Sequence, residues 1–377
     1  MAIETVETRR ISKESPRRRG AKILEFPLEK IPDWIYQKSG TVKYPVDSPR
    51  RSVEIGFSKF SPDAPTAESD RPNLTIVIVN GFSMEHDVRP MKRLCHELAN
   101  QCEANVYSID TKPAKFNGDP NDDEGKAVSW FVRDLAKYNG DADPRDDHII
   151  LAGNSRGNMA AIKAYGLLEK AITAKEIKGL QLEPLVVTHY LDNKSLAELT
   201  ANVALDIARS VHNTIRPQEG VSRLQAGKVA AEVYGAAALA QTKNILSSKV
   251  IGYPRRLLNE LHVLENPNPA AAEIRGPVII EAGLDDPHGQ PGRNSNRSLK
   301  DRMLGRNQFD KEALTVYLAS RFPNSSEVTV YTTPHDTHIG PVVAPERFAQ
   351  TIHNAFKESR NKHKALQTDK NLTSLAD

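Results

Sequence analysis

The feature that most constrains the fold is an alternation of short apolar runs with helix-forming segments along the first half of the chain. The run LTIVIV (74–79) is continuous and rich in β-branched residues, as expected for a strand buried on both faces. Alternation of apolar and polar residues predicts a half-buried strand at 53–60. Further strands are predicted at 104–109, 148–153 and 185–191, with helices at 88–101, 122–138 and 156–170. This order predicts an α/β fold, with a doubly wound, mostly parallel sheet of about eight strands and helices on both faces.

A helical insertion interrupts the alternation in the second half of the chain. Between residues 195 and 265 no strand is predicted, while apolar residues keep helical spacing and alanine is frequent. The pattern resumes with strands at 277–283 and 327–332, a helix near 309–321 and a final helix from Pro345 to about Lys357. We therefore predict a core in two parts, 41–194 and 271–358, separated by a helical lid or cap at 195–270.

Both ends of the chain are polar. Residues 1–40 include the basic stretch RRISKESPRRRG, which predicts a disordered arm, and residues 359–377 predict a polar C-terminal tail. We expect neither a transmembrane segment nor an export signal. Cys95 and Cys102 fall on one predicted helix, in positions that do not suit a disulfide. With a formal net charge of +3, these features favour a cytoplasmic protein that binds no specific nucleic acid.

A serine lies between two glycines where the strand at 148–153 is predicted to become a helix. The segment GNSRG (153–157) fits the pattern G-x-S-x-G, in which the glycines permit a strained turn and close packing of neighbouring chains. Such a turn exposes the hydroxyl of Ser155, and the N-terminus of the following helix favours negative charge there. The alternative is an ordinary turn without chemistry. The placement between a buried strand and a helix favours a nucleophile.

The end of the strand at 74–79 offers a second candidate element. Open parallel sheets carry their sites at the carboxyl ends of the strands, and Asn80-Gly81 follows this one directly. A glycine there lets the backbone turn sharply with its amides directed outward, where they can stabilise an oxyanion. A tight turn with no such role is the alternative.

Two later strand ends carry carboxylates and histidines. Asp285 and Asp286 follow the strand at 277–283, and His335 and His338 follow the last strand. Serine, acid and histidine, each after its own strand and in that chain order, predict a nucleophilic triad of the hydrolase type. The residues by themselves leave both acids and both histidines open.

Together these motifs resemble those of the α/β-hydrolase superfamily, over most of the chain. The resemblance implies that Ser155 is the nucleophile and that the helical insertion is the lid between the sixth and seventh strands. Members usually carry Gly-x-x-Asp after the seventh strand, which selects Asp286 over Asp285. Their histidine usually lies several residues before a Pro-Glu pair that starts the last helix, which selects His338 over His335.

The resemblance also implies an oxyanion hole formed by the backbone amides of Phe82 and Arg156. Many members have His-Gly where this chain has Asn80-Gly81, but the turn acts through its backbone. Asn80, Gly81 and Arg156 are further candidates for substrate binding. The Arg156 guanidinium has two alternative roles: it binds a substrate carboxylate, or it pairs with an acidic neighbour.

These features predict a serine hydrolase of the carboxylesterase or lipase type, which cleaves an ester or thioester of a small-molecule acyl substrate. An amidase, peptidase or acyltransferase with the same triad is the first alternative. A non-catalytic ligand-binding protein of the same fold is the second. No cofactor is expected and no metal, since His189 and the other histidines show no zinc-ligand spacing. A homodimer is left open.

Overall fold

The structure, a computed structural model, describes part of the 377-residue chain. The described residues are 37–46, 48–63, 73–81, 86–113, 120–140, 147–177, 179–190, 268–284, 311–333 and 338–374, with the single positions 224, 227, 228, 231, 232, 235, 286 and 336. Most of the predicted arm and of the predicted lid therefore lies outside the described residues, as do Phe82, Asp285 and His335.

A sheet of nine strands forms the centre of the described part of the chain. The strands are β1 (Ser39–Val46), β2 (Ser48–Phe60), β3 (Asn73–Val79), β4 (Asn105–Pro113), β5 (Asp147–Asn154), β6 (Leu180–Leu182), β7 (Leu185–Thr188), β8 (Val278–Gly283) and β9 (Val328–Thr333). Their spatial order is β1-β2-β4-β3-β5-β7-β8-β9, and β6 pairs with β5. The pairs β1–β2 and β2–β4 are antiparallel, and the other described strand pairs are parallel. The predicted doubly wound, mostly parallel α/β fold is confirmed.

Helices cover both faces of this sheet. They are α1 (Arg89–Cys102), α2 (Pro120–Gly140), α3 (Gly157–Thr173), a short 3₁₀ helix (Pro269–Glu273), α4 (Lys311–Ala319), α5 (Gly340–Val343) and α6 (Pro345–Ser374). Residues of α2, α3 and α4 pack on one face, and residues of α1 and α6 pack on the other. Among the described residues, no helix combines the length and apolar character that crossing a membrane requires.

Strands in the middle of the sheet bury side chains on both faces. Val77 and Leu151 belong to the core beneath α2 and α3, whereas Ile76 and Ile150 belong to the core beneath α1 and α6. All four side chains are almost fully buried, and each such burial stabilises the fold by roughly 1.5–3 kcal/mol. The continuous β-branched runs in the sequence reflect this double burial.

The chain reverses its direction of winding at β3, which positions the site. β4 lies on one side of β3 and β5 on the other, both parallel to it. Val79 is level with Ile109 of β4 and with Gly153 of β5, so the carboxyl ends of the three strands share one edge. Ligand sites in open α/β sheets lie at such a point.

Several elements differ from the sequence predictions, including the unpredicted β6 and α5, and a physical reason can be given for three of them. β1 was not predicted, because this edge strand alternates exposed and partly buried residues and lacks a continuous apolar run. The strand predicted at 185–191 ends at Thr188, because the next residue, His189, has a φ of 51° and leaves the extended conformation. The last helix was predicted to end near Lys357 but continues to Ser374, since no proline or glycine interrupts it.

Candidate active site

Ser155 occupies a sharp turn between β5 and α3, with a backbone φ of 55°. A positive φ costs a residue with a side chain on the order of 1–3 kcal/mol and persists only where the surroundings enforce it. Here the Ser155 N–H donates to the carbonyl oxygen of Thr188 over 3.0 Å, and the Asn158 N–H donates to the Ser155 carbonyl oxygen over 3.1 Å. These bonds fix a partly exposed serine at the carboxyl edge of the sheet.

The two glycines of the turn let neighbouring segments approach closely. A Cβ atom at Gly157 would collide with the carbonyl oxygen of Val79 and would lie 2.7 Å from that of Asn80. A Cβ atom at Gly153 would lie 2.5 Å from the Cα atom of Asn158. Both positions therefore require glycine for a steric reason.

His338 and Asp286 complete a hydrogen-bonded chain with Ser155. His338 Nε2 lies 2.7 Å from Ser155 Oγ, and His338 Nδ1 lies 3.0 Å from Asp286 Oδ2. Both distances are within hydrogen-bonding range. The Asp286 side chain is 1% exposed and that of His338 is 15% exposed. The structure thus brings the three residues together, running from a buried carboxylate to a partly exposed hydroxyl.

The turn after β8 holds the Asp286 carboxylate in place. The Asp286 N–H donates to the carbonyl oxygen of Gly283 over 3.1 Å, and the Leu284 N–H donates to that of Thr333 over 3.0 Å. Burial acts to raise the pKa of Asp286, but the charge of His338 and the hydrogen bond to His189 hold this pKa well below its usual range. Asp286 is therefore ionised and can orient an imidazole.

Asn80 anchors the turn that follows β3. Its N–H donates to the carbonyl oxygen of Ile109 over 2.9 Å, and its side-chain Nδ2 donates to Ser108 Oγ over 2.9 Å. The Asn80 side chain is thus buried against β4. Gly81 lies beside Ser155, because a Cβ atom there would be 3.0 Å from Ser155 Cβ.

The chain is also fixed beyond this turn. His86 Nδ1 lies 3.2 Å from Oδ1 of Asp110, a residue of β4. The described residues on both sides of 82–85 are therefore held against β4. Phe82 itself lies outside the described residues, so its backbone amide stays a predicted oxyanion donor.

Comparison with known proteins identifies the fold. No family model matches the chain, and no curated protein matches it. A solved structure of a probable hydrolytic enzyme from Pseudomonas aeruginosa PAO1 aligns over 84% of this chain and 93% of its own, with 15% identity and a TM-score of 0.51. The chain has the α/β-hydrolase fold. At this identity the likeness concerns the fold alone.

Two further solved structures align at lower TM-scores. A thermophilic esterase from Thermogutta terrifontis has 17% identity and a TM-score of 0.44, over 85% of this chain and 99% of its own. An alpha/beta hydrolase enzyme from a Medee basin deep-sea metagenome library has 11% identity and a TM-score of 0.46, over 81% of this chain and 94% of its own.

Within this α/β-hydrolase fold, the Arg156 side chain pairs with an acidic neighbour. Arg156 Nη2 lies 2.6 Å from Glu124 Oε1, and the Thr111 hydroxyl donates to Glu124 Oε2 over 2.6 Å. Arg156 and Glu124 are almost fully buried. The pairing alternative for the guanidinium is thus present in the structure, and a role in substrate binding stays a prediction.

Replacement of Arg156 by glutamine is expected to lower the free energy of unfolding by about 3 kcal/mol, because the Glu124 carboxylate would lose a buried cation. The double variant Glu124→Gln/Arg156→Gln is expected to recover at least half of that loss. Urea unfolding at neutral pH measures both changes. An equal loss in the single and the double variant would contradict a pairing role for Arg156.

The residue of this site that sequence reasoning missed is His189. It follows β7 and lies fully buried, with Nδ1 2.7 Å from the same Asp286 Oδ2 atom that contacts His338. The sequence analysis found no zinc-ligand spacing around His189 along the chain. In space, however, ligand atoms of His189, Asp286 and His338 lie within 4.8 Å of one another. Both Nδ1 atoms approach one carboxylate oxygen at hydrogen-bonding distance, so the hydrogen bonds and a metal ion would compete for the same atoms.

Treatment with a chelator tests which of the two uses operates. We expect dialysis against EDTA to leave the rate of fluorophosphonate labelling of Ser155 unchanged, because a hydrogen-bonded serine, histidine and carboxylate need no metal to activate a hydroxyl. The same protein incubated with zinc serves as the comparison. Labelling that slows with EDTA and returns with zinc would show that these three side chains hold a metal in the working site.

Proposed function

We propose that this protein is a serine hydrolase that cleaves a carboxylic ester or thioester through an acyl-enzyme on Ser155. The observation that carries the proposal is the chain from Ser155 Oγ to His338 Nε2 (2.7 Å) and from His338 Nδ1 to Asp286 Oδ2 (3.0 Å). A base within hydrogen-bonding reach of a hydroxyl, itself oriented by a buried carboxylate, is the arrangement that activates a serine. The φ of 55° at Ser155 adds support, since such strain concentrates at functional sites.

Acylation follows from this geometry. Ser155 Oγ attacks the acyl carbon while His338 Nε2 accepts the hydroxyl proton, and Asp286 stabilises the resulting imidazolium. The backbone amides of Arg156 and Phe82 stabilise the tetrahedral oxyanion, by roughly 3 kcal/mol each. The intermediate then expels the alcohol or thiol, which takes the proton from His338.

Deacylation repeats these steps with water. His338 accepts a proton from the water molecule that attacks the acyl carbon, and returns that proton to Ser155 Oγ as the acid leaves. Apart from this water molecule, all groups in both steps belong to the chain or to the substrate. The fold supports the proposal as well, because the Pseudomonas structure that it resembles is described as a probable hydrolytic enzyme.

Hydrolysis of p-nitrophenyl esters with acyl chains of increasing length tests the proposal. A thioester and a p-nitroanilide of the preferred acyl group are then compared with the ester, to show which leaving group the protein prefers. We expect wild type to cleave the ester and the thioester faster than the anilide. Ser155→Ala should lower the rate at least about a thousandfold. A wild-type rate no higher than that of Ser155→Ala would refute the proposal.

A further inference from the structure

The buried environment of Asp286 contains two imidazoles, of which the proposed reaction uses one. His189 Nδ1 and His338 Nδ1 lie 2.7 Å and 3.0 Å from the same oxygen, Asp286 Oδ2. An ionised carboxylate only accepts hydrogen bonds, so each Nδ1 must carry a proton to bond with it. The protonation of His189 therefore depends on its other nitrogen, Nε2.

The surroundings of His189 Nε2 favour a proton on that atom as well. It lies 3.6 Å from Glu281 Oε2, and neither atom has a hydrogen-bond partner among the described residues. Both side chains are almost completely buried. A neutral Nε2 would set a lone pair against a carboxylate oxygen, whereas a protonated Nε2 is attracted to it.

The charges around His189 come from β8, from α6 and from the loops that follow β8 and β9. Glu281 lies on β8 and Asp286 follows it, Asp336 precedes His338 in the loop after β9, and Arg347 lies on α6, where its guanidinium pairs with Asp336. Three buried carboxylates thus act on His189, and the Arg347 guanidinium pairs with one of them, Asp336. An imidazolium at His189 supplies the second positive charge.

The electrostatic balance agrees with this geometry. Burial acts to lower the pKa of His189, but the hydrogen bond and charge of Asp286, with the charge of Glu281, raise it to about 9. Burial raises the pKa of Glu281 to about 7, although His189 acts to lower it. Burial also raises the pKa of Asp336 against the influence of Arg347. The positive charge at His189 therefore persists at neutral pH.

We propose that His189 is a buried imidazolium that shares the Asp286 carboxylate with His338, and that it acts as a positioning residue for the triad. Its ring centroid lies 5.1 Å from that of His338. A positive charge on the His189 ring repels a second positive charge on the His338 ring, and the two rings share one Asp286 oxygen. Removal of the His189 charge should therefore change the pH dependence of a reaction in which His338 accepts a proton.

This inference rests on the proposed function, because its first test uses the reactivity of Ser155. The test is the pH dependence of the rate of fluorophosphonate labelling in wild type and in His189→Asn. Asparagine can place Nδ2 where the imidazole Nδ1 donates, and it tolerates a positive φ, so the variant removes the charge and retains the bond. We expect the midpoint of the acid limb of the pH–rate profile to be higher in His189→Asn than in wild type, by about one pH unit.

His148→Asn is the matched control. His148 is another buried histidine paired with a carboxylate, 2.5 Å from Glu183 Oε1, at the amino end of β5 and away from Ser155. Its replacement should leave the acid limb in place. An unmoved midpoint in His189→Asn would overturn the inference.

The protonation of His189 can also be measured without any reaction. In protein with ¹⁵N-labelled histidine, the imidazole nitrogens absent from His189→Asn identify the residue. Imidazolium shifts at neutral pH, with titration near pH 9, are the expected result. Neutral imidazole shifts would overturn the inference. This measurement distinguishes failure of the inference from failure of the proposed function. It reports the protonation of His189 even if wild-type protein is not labelled and the proposed function is wrong.

Discussion

Replacement of His338 by alanine is expected to lower ester hydrolysis and fluorophosphonate labelling by at least about a thousandfold. His338 Nε2 lies 2.7 Å from Ser155 Oγ, and no other described imidazole nitrogen makes a hydrogen bond to that hydroxyl. Without the base, the hydroxyl keeps its proton and is a weak nucleophile at neutral pH. Initial rates with a p-nitrophenyl ester and gel-based labelling measure the two losses.

His96→Ala is the control for this prediction. His96 is an exposed histidine of α1 that pairs with Asp63, with Nε2 3.2 Å from Oδ1. Its replacement should leave both rates unchanged, because an exposed pair of this kind stabilises a fold little. A His338→Ala protein that keeps the wild-type rate would mean that Ser155 is activated by another group, or is not the nucleophile.

Replacement of Gly157 by alanine is expected to lower the free energy of unfolding by about 3 kcal/mol, the upper part of the range for an overpacked site. The new Cβ atom would collide with the carbonyl oxygen of Val79, and backbone atoms cannot move aside as a flexible side chain can. The end of β3 and the start of α3 would have to separate. Urea unfolding measures the loss.

Gly166→Ala provides a matched control on the same helix. A Cβ atom there would lie 3.5 Å from Ile274 Cδ1, which is an ordinary contact. Alanine in a helix interior is favoured over glycine by roughly 0.5–1 kcal/mol, so this variant should be as stable as wild type or more so. A Gly157→Ala protein as stable as Gly166→Ala would contradict the close packing described at the elbow.

Local sequence patterns predicted much of the fold and part of the candidate site. Runs such as 74–79 are visible in the sequence because burial on both faces requires apolar residues at every position. Ser155 could be identified from the sequence because the turn around it has space only for glycine at positions 153 and 157. Asp286 and His338 were selected by resemblance, since the residues alone left Asp285 and His335 open.

The role of His189 could not be predicted in the same way. Along the chain it is one histidine in an apolar segment, 97 positions from Asp286. Only the pairing of β7 with β8 brings the two side chains to one edge of the sheet. Contacts of this range leave no local periodicity, and an imidazole within a strand-like run is most simply interpreted as part of the core.

The edge strand β1 escaped prediction for a different reason. Its outer residues are exposed, so the sequence SGTVKYPV contains few apolar residues and resembles a loop. Its pairing with β2 supplies the stability that composition does not indicate. Sequence patterns therefore describe the centre of this sheet better than its edge.

Mass spectrometry of the protein after reaction with a fluorophosphonate tests the central claim most directly. Intact mass gives the number of adducts, and peptide mapping gives their position. The account predicts one adduct per chain, on the peptide that contains Ser155, and its absence from Ser155→Ala. An adduct on another residue, or none on folded wild-type protein, would contradict the claim that Ser155 is an activated nucleophile.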